Sequence, residues 1–314
     1  MAADLAEIET RLRALIDRDP VIVSAPMADL FAAGGKRLRP ALVLMAAKAG
    51  TYDIRRLTPA AMAVELTHAA TLVHDDVIDR AKVRRGRPTV AAQLGDEAAI
   101  VVGDYYFAQA YEQAAATDEP EVVTILARAV MEICAGEVRQ QGIRYRYSTG
   151  VEEYMARIES KTATLVAACC DIGAALAGLD EMRRARLHEY GRHLGLAFQI
   201  ADDVLDYTGS EAEIGKPIGH DIAEGFATLP LMIARQDKAV RSRLRGILHD
   251  GQKLSEEAAR SVVEIVRESG APERALARAE DYAREASDLS DALHPAEARH
   301  ALAALTTYVV SRKL

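Results

Sequence analysis

Apolar residues run through this chain in stretches bounded by proline, glycine and charge, and their spacing predicts one helix after another. ALVLMAAKA follows Pro40, AAMAVELTHAATLVHDDVID follows Thr58-Pro59, LMIARQ follows Pro230, ERALARAEDYA follows Pro272 and AEARHALAAL follows Pro295. Proline suits the first turn of a helix, where its missing N–H has no intrahelical partner to lose. Gly50 and Gly270 mark helix ends, and the period-two alternation of a half-buried strand is nearly absent. Two stretches interrupt the pattern, residues 82–90 and 208–230, both rich in glycine, proline and charge. Each lies a few residues after an acidic cluster, so both read as loops at the mouth of one site. No low-complexity linker divides the 314 residues, which predicts a single all-α domain over 1–314.

Composition narrows the picture. Half of the residues are hydrophobic, enough for a sizeable core, and the absence of Trp with a wealth of Ala, Leu, Val, Glu and Arg favours helix over sheet. A net charge of −8 leaves no excess of Lys and Arg to neutralise a nucleic-acid backbone. Cys134, Cys169 and Cys170 show no metal-ligand spacing and read as buried thiols of a reducing compartment. The first twenty residues carry charge throughout, and no run of about eighteen apolar residues occurs. A cytoplasmic protein with no transmembrane segment is expected.

The candidate chemistry lies in two repeats, Asp-Asp-Val-Ile-Asp at 75–79 and Asp-Asp-Val-Leu-Asp at 202–206, each inside an apolar helical run. Asp75 and Asp79 are four apart, as are Asp202 and Asp206, which puts each pair on one helix face. Carboxylates that close repel unless a cation sits between them. Mg²⁺ fits, since it takes hard oxygen ligands and shares one or two protein carboxylates with substrate phosphates. One such cluster could be a solvated acidic face, but two within apolar surroundings make coincidence a poor account.

The whole pattern resembles the trans-isoprenyl diphosphate synthases. Gly-Gly-Lys-Arg-Leu-Arg-Pro at 34–40 is similar to the family's isopentenyl-diphosphate segment, which implies that Lys36 and Arg39 grip that diphosphate, with His68 beside them. Asp75 through Arg84-Arg85-Gly86 resembles the first aspartate-rich motif, implying an allylic-diphosphate contact for Arg84 and an isopentenyl-diphosphate contact for Arg85. Lys161-Thr162, Gln199 and Lys216 fall in the family's order and complete the implied substrate contacts. The resemblance implies a single large helical bundle of the isoprenoid synthase type around a central substrate cavity. It implies Mg²⁺, three ions per site, on Asp75, Asp79, Asp202 and Asp206, with Asp76 and Asp203 in the catalytic set. One departure stands out: Phe226 occupies the place of a family lysine that touches the allylic diphosphate. Weaker primer binding is expected from it, and a lysine at 226 is expected to restore grip.

The activity implied by the resemblance is that of a transferase that ionises an allylic diphosphate and joins the cation to isopentenyl diphosphate. A homodimer is expected, with the catalytic half of a heterodimer as the alternative. A class I terpene cyclase would lack the Gly-Lys-Arg segment and Arg-Arg-Gly; a non-catalytic subunit would have no need of two intact aspartate clusters. In the family the residues four and five places before the first aspartate often set product length, here Thr71 and Ala70, with Thr67 and Val64 further down. None is bulky, so a long product of about six to ten isoprene units is expected, although Tyr106 or Phe107 could place a floor from a neighbouring helix, giving a shorter farnesyl or geranylgeranyl product.

Overall fold

The computed structural model describes residues 1–32, 37–209, 218–291 and 293–311. The chain opens with α1 (Ala2–Ile16), α2 (Val21–Ala32), α3 (Leu38–Ala47) and α4 (Ile54–Ile78). A two-residue pair, β1 (Val83–Arg84) and β2 (Arg87–Pro88), leads to α5 (Val90–Leu94), α6 (Asp96–Ala115) and α7 (Pro120–Gly142). Then come α8 (Val151–Ile158), a π-helical turn at Glu159–Ala163, α9 (Thr164–Leu176) and α10 (Glu181–Thr208). The chain ends with α11 (His220–Ala223), α12 (Leu229–Ala234), α13 (Lys238–Arg245), α14 (Glu256–Glu268), α15 (Ala271–Ser290) and α16 (Ala296–Val310). The all-α expectation holds among the described residues.

Proline falls in the first turn of α3, α12 and α15 and just before α16, as the pattern required. At α4 it does not: the helix starts five residues before Pro59, because Asp53 caps it by accepting the Arg55 N–H at 3.0 Å. Pro59 then sacrifices one early backbone bond, and the Thr58 hydroxyl donates to Ile54 O at 2.8 Å beside it. The stretch 82–90 is also more ordered than a loop. Val83 pairs with Pro88 and Arg84 with Arg87, and Arg85 and Gly86 both have positive φ, the arrangement of a type I′ hairpin turn. Residues 208–230 include α11 and the start of α12.

Two compact units emerge. The first comprises Met1–Val130, Ala168–Leu187 and Leu293–Ala298. Its central element is α4, which packs most extensively on α6 and α3 and buries Leu57, Val64, Leu66 and Val73 completely or nearly so. Small residues set the close contacts. A Cβ on Gly173 would stand 2.2 Å from Val43 O, so only glycine lets α9 approach α3 there.

The second unit comprises Met131–Ala167, His188–Ala292 and Arg299–Leu314. Its core gathers Tyr154, Leu196, Ile200, Val204, Tyr207 and Ile222, among others. Gly195 of α10 lies against the π-turn so closely that a Cβ would stand 2.5 Å from Ala163 Cα. Gly195→Ala is therefore expected to cost about 1–3 kcal/mol by overpacking. Thermal melts followed by circular dichroism should show a fall of a few degrees, and an unchanged melting temperature would mean that the helices part without penalty.

Candidate active site

In the first unit, α4 delivers the first aspartate cluster and stops immediately after it. The Ala81 N–H reaches back to Asp76 O at 2.9 Å and the Arg80 N–H to Val77 O at 3.1 Å, with Arg80 at φ 54. This is a Schellman ending with arginine where glycine is usual, which is why no sequence signal marks it. The exit sends the chain into the β1–β2 hairpin and swings Arg84 back over the helix. Its Nε lies 2.9 and 3.1 Å from the two Asp76 oxygens, and a second nitrogen lies 2.8 Å from Oδ1. Asp76 is buried, and burial raises its carboxyl above the ordinary value against the pull of Arg84. Asp75 and Asp79 remain half-exposed.

His68 lies two turns earlier on α4, partly buried, within the influence of four guanidinium groups. Desolvation, then Arg39, Arg85, Arg84 and Arg37, hold its imidazole well below its ordinary pKa, so it is neutral at pH 7. The structure thus brings Arg39, His68, Arg84 and Arg85 together. Arg39 Nε is buried with no hydrogen-bond partner among the described residues. A buried, unsatisfied guanidinium nitrogen calls for an anion. Arg37, which the sequence did not single out, is an anchor: it starts α3 at φ 46 and pairs with Glu9 at 2.6 Å and Glu65 at 2.8 Å. Lys36 lies outside the described residues.

The second unit presents the other cluster on α10. Asp202 is exposed, whereas Asp203 and Asp206 are buried. Asp203 accepts from the Tyr154 hydroxyl and from Gln199 Nε2, both at 2.8 Å, and Gln199 Oε1 accepts from the Thr162 hydroxyl at 2.7 Å. Asp206 accepts the His220 and Asp221 N–H groups, each at 3.1 Å, and so caps α11. Burial, and next the charge of Asp221, push both carboxyls upward. Lys161 and Thr162 ride on the π-turn, where the Lys161 ammonium lies 3.2 Å from Glu137. Such turns displace side chains from the regular helical register. Gly136 and Gly195 let it fit, since a Cβ on Gly136 would meet the Ser160 hydroxyl at 2.2 Å. Lys216 lies outside the described residues.

Both clusters share one division of labour. The first aspartate of each stays open to solvent in part or in full, while the second is turned inward and held by protein donors. Asp206, expected among the metal ligands, has each oxygen accepting one backbone amide. Among the described residues no three His, Cys, Asp or Glu side chains converge into a ready-made metal cage. That donor set suits Mg²⁺, which binds through one or two carboxylates and completes its shell with phosphate oxygens and water. Sequence reasoning passed over Tyr154, Arg157, Glu137 and Glu65; each is an isolated side chain whose partner is distant along the chain. Of the chain-length positions, Val64, Thr67 and Ala70 are fully buried, and Thr71 is partly exposed with its hydroxyl on His68 O at 2.8 Å.

Comparison with known proteins adds an independent line. A family model described as polyprenyl synthetase matches residues 20–266. The component 2 of heptaprenyl diphosphate synthase from Geobacillus stearothermophilus is 38% identical over 99% of this chain and 97% of its own length. A short chain isoprenyl diphosphate synthase from Methanothermobacter thermautotrophicus is also 38% identical, over 97% of this chain and 95% of its own. The crystal structure of a polyprenyl synthase from Caulobacter crescentus CB15, complexed with calcium and isoprenyl diphosphate, superposes with a TM-score of 0.92. It shares 37% identity and covers 100% of this chain and 96% of that one.

Proposed function

Since the chain belongs to the polyprenyl synthetase family, we propose that it condenses isopentenyl diphosphate head-to-tail onto an allylic diphosphate and makes a long all-trans polyprenyl diphosphate. The observation that carries this reading is the gathering of Arg39, Arg84 and Arg85 around a neutral His68, on the same helix that holds Asp75 and Asp79 half-exposed. A cationic nest beside open carboxylates suits a diphosphate in two ways, by direct hydrogen bonds and through metal ions. A relative of equal identity bears a short-chain name, so the length of the product rests on the residues of α4.

In this reading Lys36, Arg39, His68 and Arg85 bind isopentenyl diphosphate. His68 donates a ring N–H to the diphosphate, whose oxygens are acceptors. Lys161, Thr162, Gln199, Lys216 and Arg84 serve the allylic diphosphate. Arg84 spends part of its guanidinium on Asp76, which orients the remainder. Asp75 and Asp79 in the first unit and Asp202 in the second would hold Mg²⁺, three ions per site, and the ions would supply charge to stabilise the departing diphosphate. Asp76, Asp203 and Asp206 act as positioning groups through Arg84, Gln199 and α11. Loss of the diphosphate leaves an allylic cation, the isopentenyl double bond attacks it, and a proton passes to the released diphosphate.

We take residues 1–314 as one catalytic domain working in the cytoplasm as a homodimer, with a partner of a second kind as the alternative, because a relative is named as a component. Among the described residues no helix is long and apolar enough to cross a membrane. The deciding experiment is direct: purified chain, Mg²⁺, farnesyl or geranylgeranyl diphosphate and labelled isopentenyl diphosphate, with products separated by chromatography. Incorporation of label into an extended allylic diphosphate is expected. Release of a cyclic hydrocarbon, or no incorporation with any primer, alone or with a partner subunit, would remove the reading.

A further inference from the structure

Phe226 does not leave a gap where the expected lysine would stand. Two guanidinium groups lie over its ring, Arg144 Cζ at 5.6 Å from the centroid and Arg157 Cζ at 5.4 Å. Each arginine also stacks on a second ring, Arg144 on Tyr145 at 5.4 Å and Arg157 on Tyr154 at 5.3 Å. Aromatic faces orient a guanidinium without neutralising it.

The two arginines differ in what else they hold. Arg144 is ion-paired to the Glu224 carboxylate and donates to Glu224 O at 2.9 Å. Arg157 donates to Ala227 O at 3.1 Å and has no carboxylate partner among the described residues. Among those residues it makes no ion-pair contact, in a partly buried place. Arg157 also stands one turn before Lys161 on the same helical run, and its companion ring Tyr154 donates to Asp203 of the second aspartate cluster.

We propose that Arg157 binds the diphosphate of the allylic substrate, and that Phe226 is its positioning residue, holding the guanidinium by stacking. The inference rests on the prenyl-transfer reading for the identity of the substrate, but not for the affinity toward diphosphate itself. It also reverses an expectation from sequence: a lysine at 226 would stand beside two guanidinium groups, and repulsion would offset any gain in grip.

The test uses the full chain, Arg157→Met, Arg157→Lys, Phe226→Leu and Phe226→Lys. It measures kcat, both KM values, calorimetric binding of inorganic diphosphate with Mg²⁺, and thermal melts. Arg157→Met is expected to raise primer KM and the diphosphate Kd about tenfold, the loss of one charge-assisted bond, with the isopentenyl diphosphate KM unchanged within about twofold. Arg157→Lys should recover part of that loss, Phe226→Leu should show about a threefold rise, and Phe226→Lys should not lower primer KM. A folded Arg157→Met with unchanged primer KM and diphosphate Kd would overturn the assignment. So would an equal rise in both KM values, which marks a structural role. If Arg157→Met does not fold, Arg157→Lys decides by the same two quantities. If the unaltered chain transfers no prenyl group, the functional reading fails, and diphosphate binding alone still judges Arg157.

Discussion

Asp75→Ala and Asp202→Ala should each lower kcat by about a thousandfold at saturating Mg²⁺ while leaving the melting temperature unchanged, because each removes a charge the transition state needs. The structure explains why the fold should survive. Asp75 is half-exposed and Asp202 exposed, so their carboxylates contribute little to burial. Asp203→Ala should behave differently, since it strips the Tyr154 hydroxyl and the Gln199 amide of a buried acceptor. That change should cost about 1–3 kcal/mol of stability in addition to activity. Chelation should abolish turnover in the unaltered chain and added Mg²⁺ should restore it. Near-normal turnover of either Asp75→Ala or Asp202→Ala would remove those aspartates from the metal site.

The unaltered enzyme should extend its product to about six to ten isoprene units, and a single bulky residue one turn before Asp75 should cut this to about three or four. The helix from Ile54 to Ile78 contains no Phe, Tyr or Trp. Thr71 stands four residues before Asp75, on the same face, and is partly exposed. Ala70 stands four residues before His74, and that face meets α6: a Cβ on Gly103 would lie 2.1 Å from the His74 ring. Thr71→Phe can therefore fill open space, whereas Ala70→Tyr must also push against a packed helix. Both should shorten the product, and only Ala70→Tyr should lower the melting temperature, by overpacking of about 1–3 kcal/mol. Tyr106 and Phe107 are the other candidate floors; Tyr106 is fully buried on α6 with its hydroxyl 2.9 Å from Asp19. If the unaltered chain stops at three or four units, Tyr106 or another α6 residue sets the length and the open face of α4 does not.

The sequence by itself determined the helices and the two aspartate clusters, because helix periodicity, proline at the first turn and a four-residue spacing are local properties of the chain. It also pointed to Arg39, His68, Arg84 and Arg85, although only as members of a pattern. Tertiary structure decided how those residues divide the work. Asp75 and Asp76 are neighbours of one type, yet one faces outward and the other is buried under Arg84, since successive residues on a helix point about 100° apart and only packing says which direction is solvent. The same holds for Asp202 and Asp203. Asp206 is expected among four metal ligands from its spacing to Asp202; in space α11 is brought against it from fourteen residues away, and its oxygens also satisfy backbone amides that would otherwise be orphaned. The turn at Arg80 that ends α4 and the π-turn under Lys161 were likewise invisible, since each is a costlier backbone geometry that the surrounding core sustains; the start of α4 ahead of Pro59 follows from a local cap at Asp53. Phe226 shows the limit most sharply: along the chain it reads as a lost lysine, and in space its ring carries two arginines.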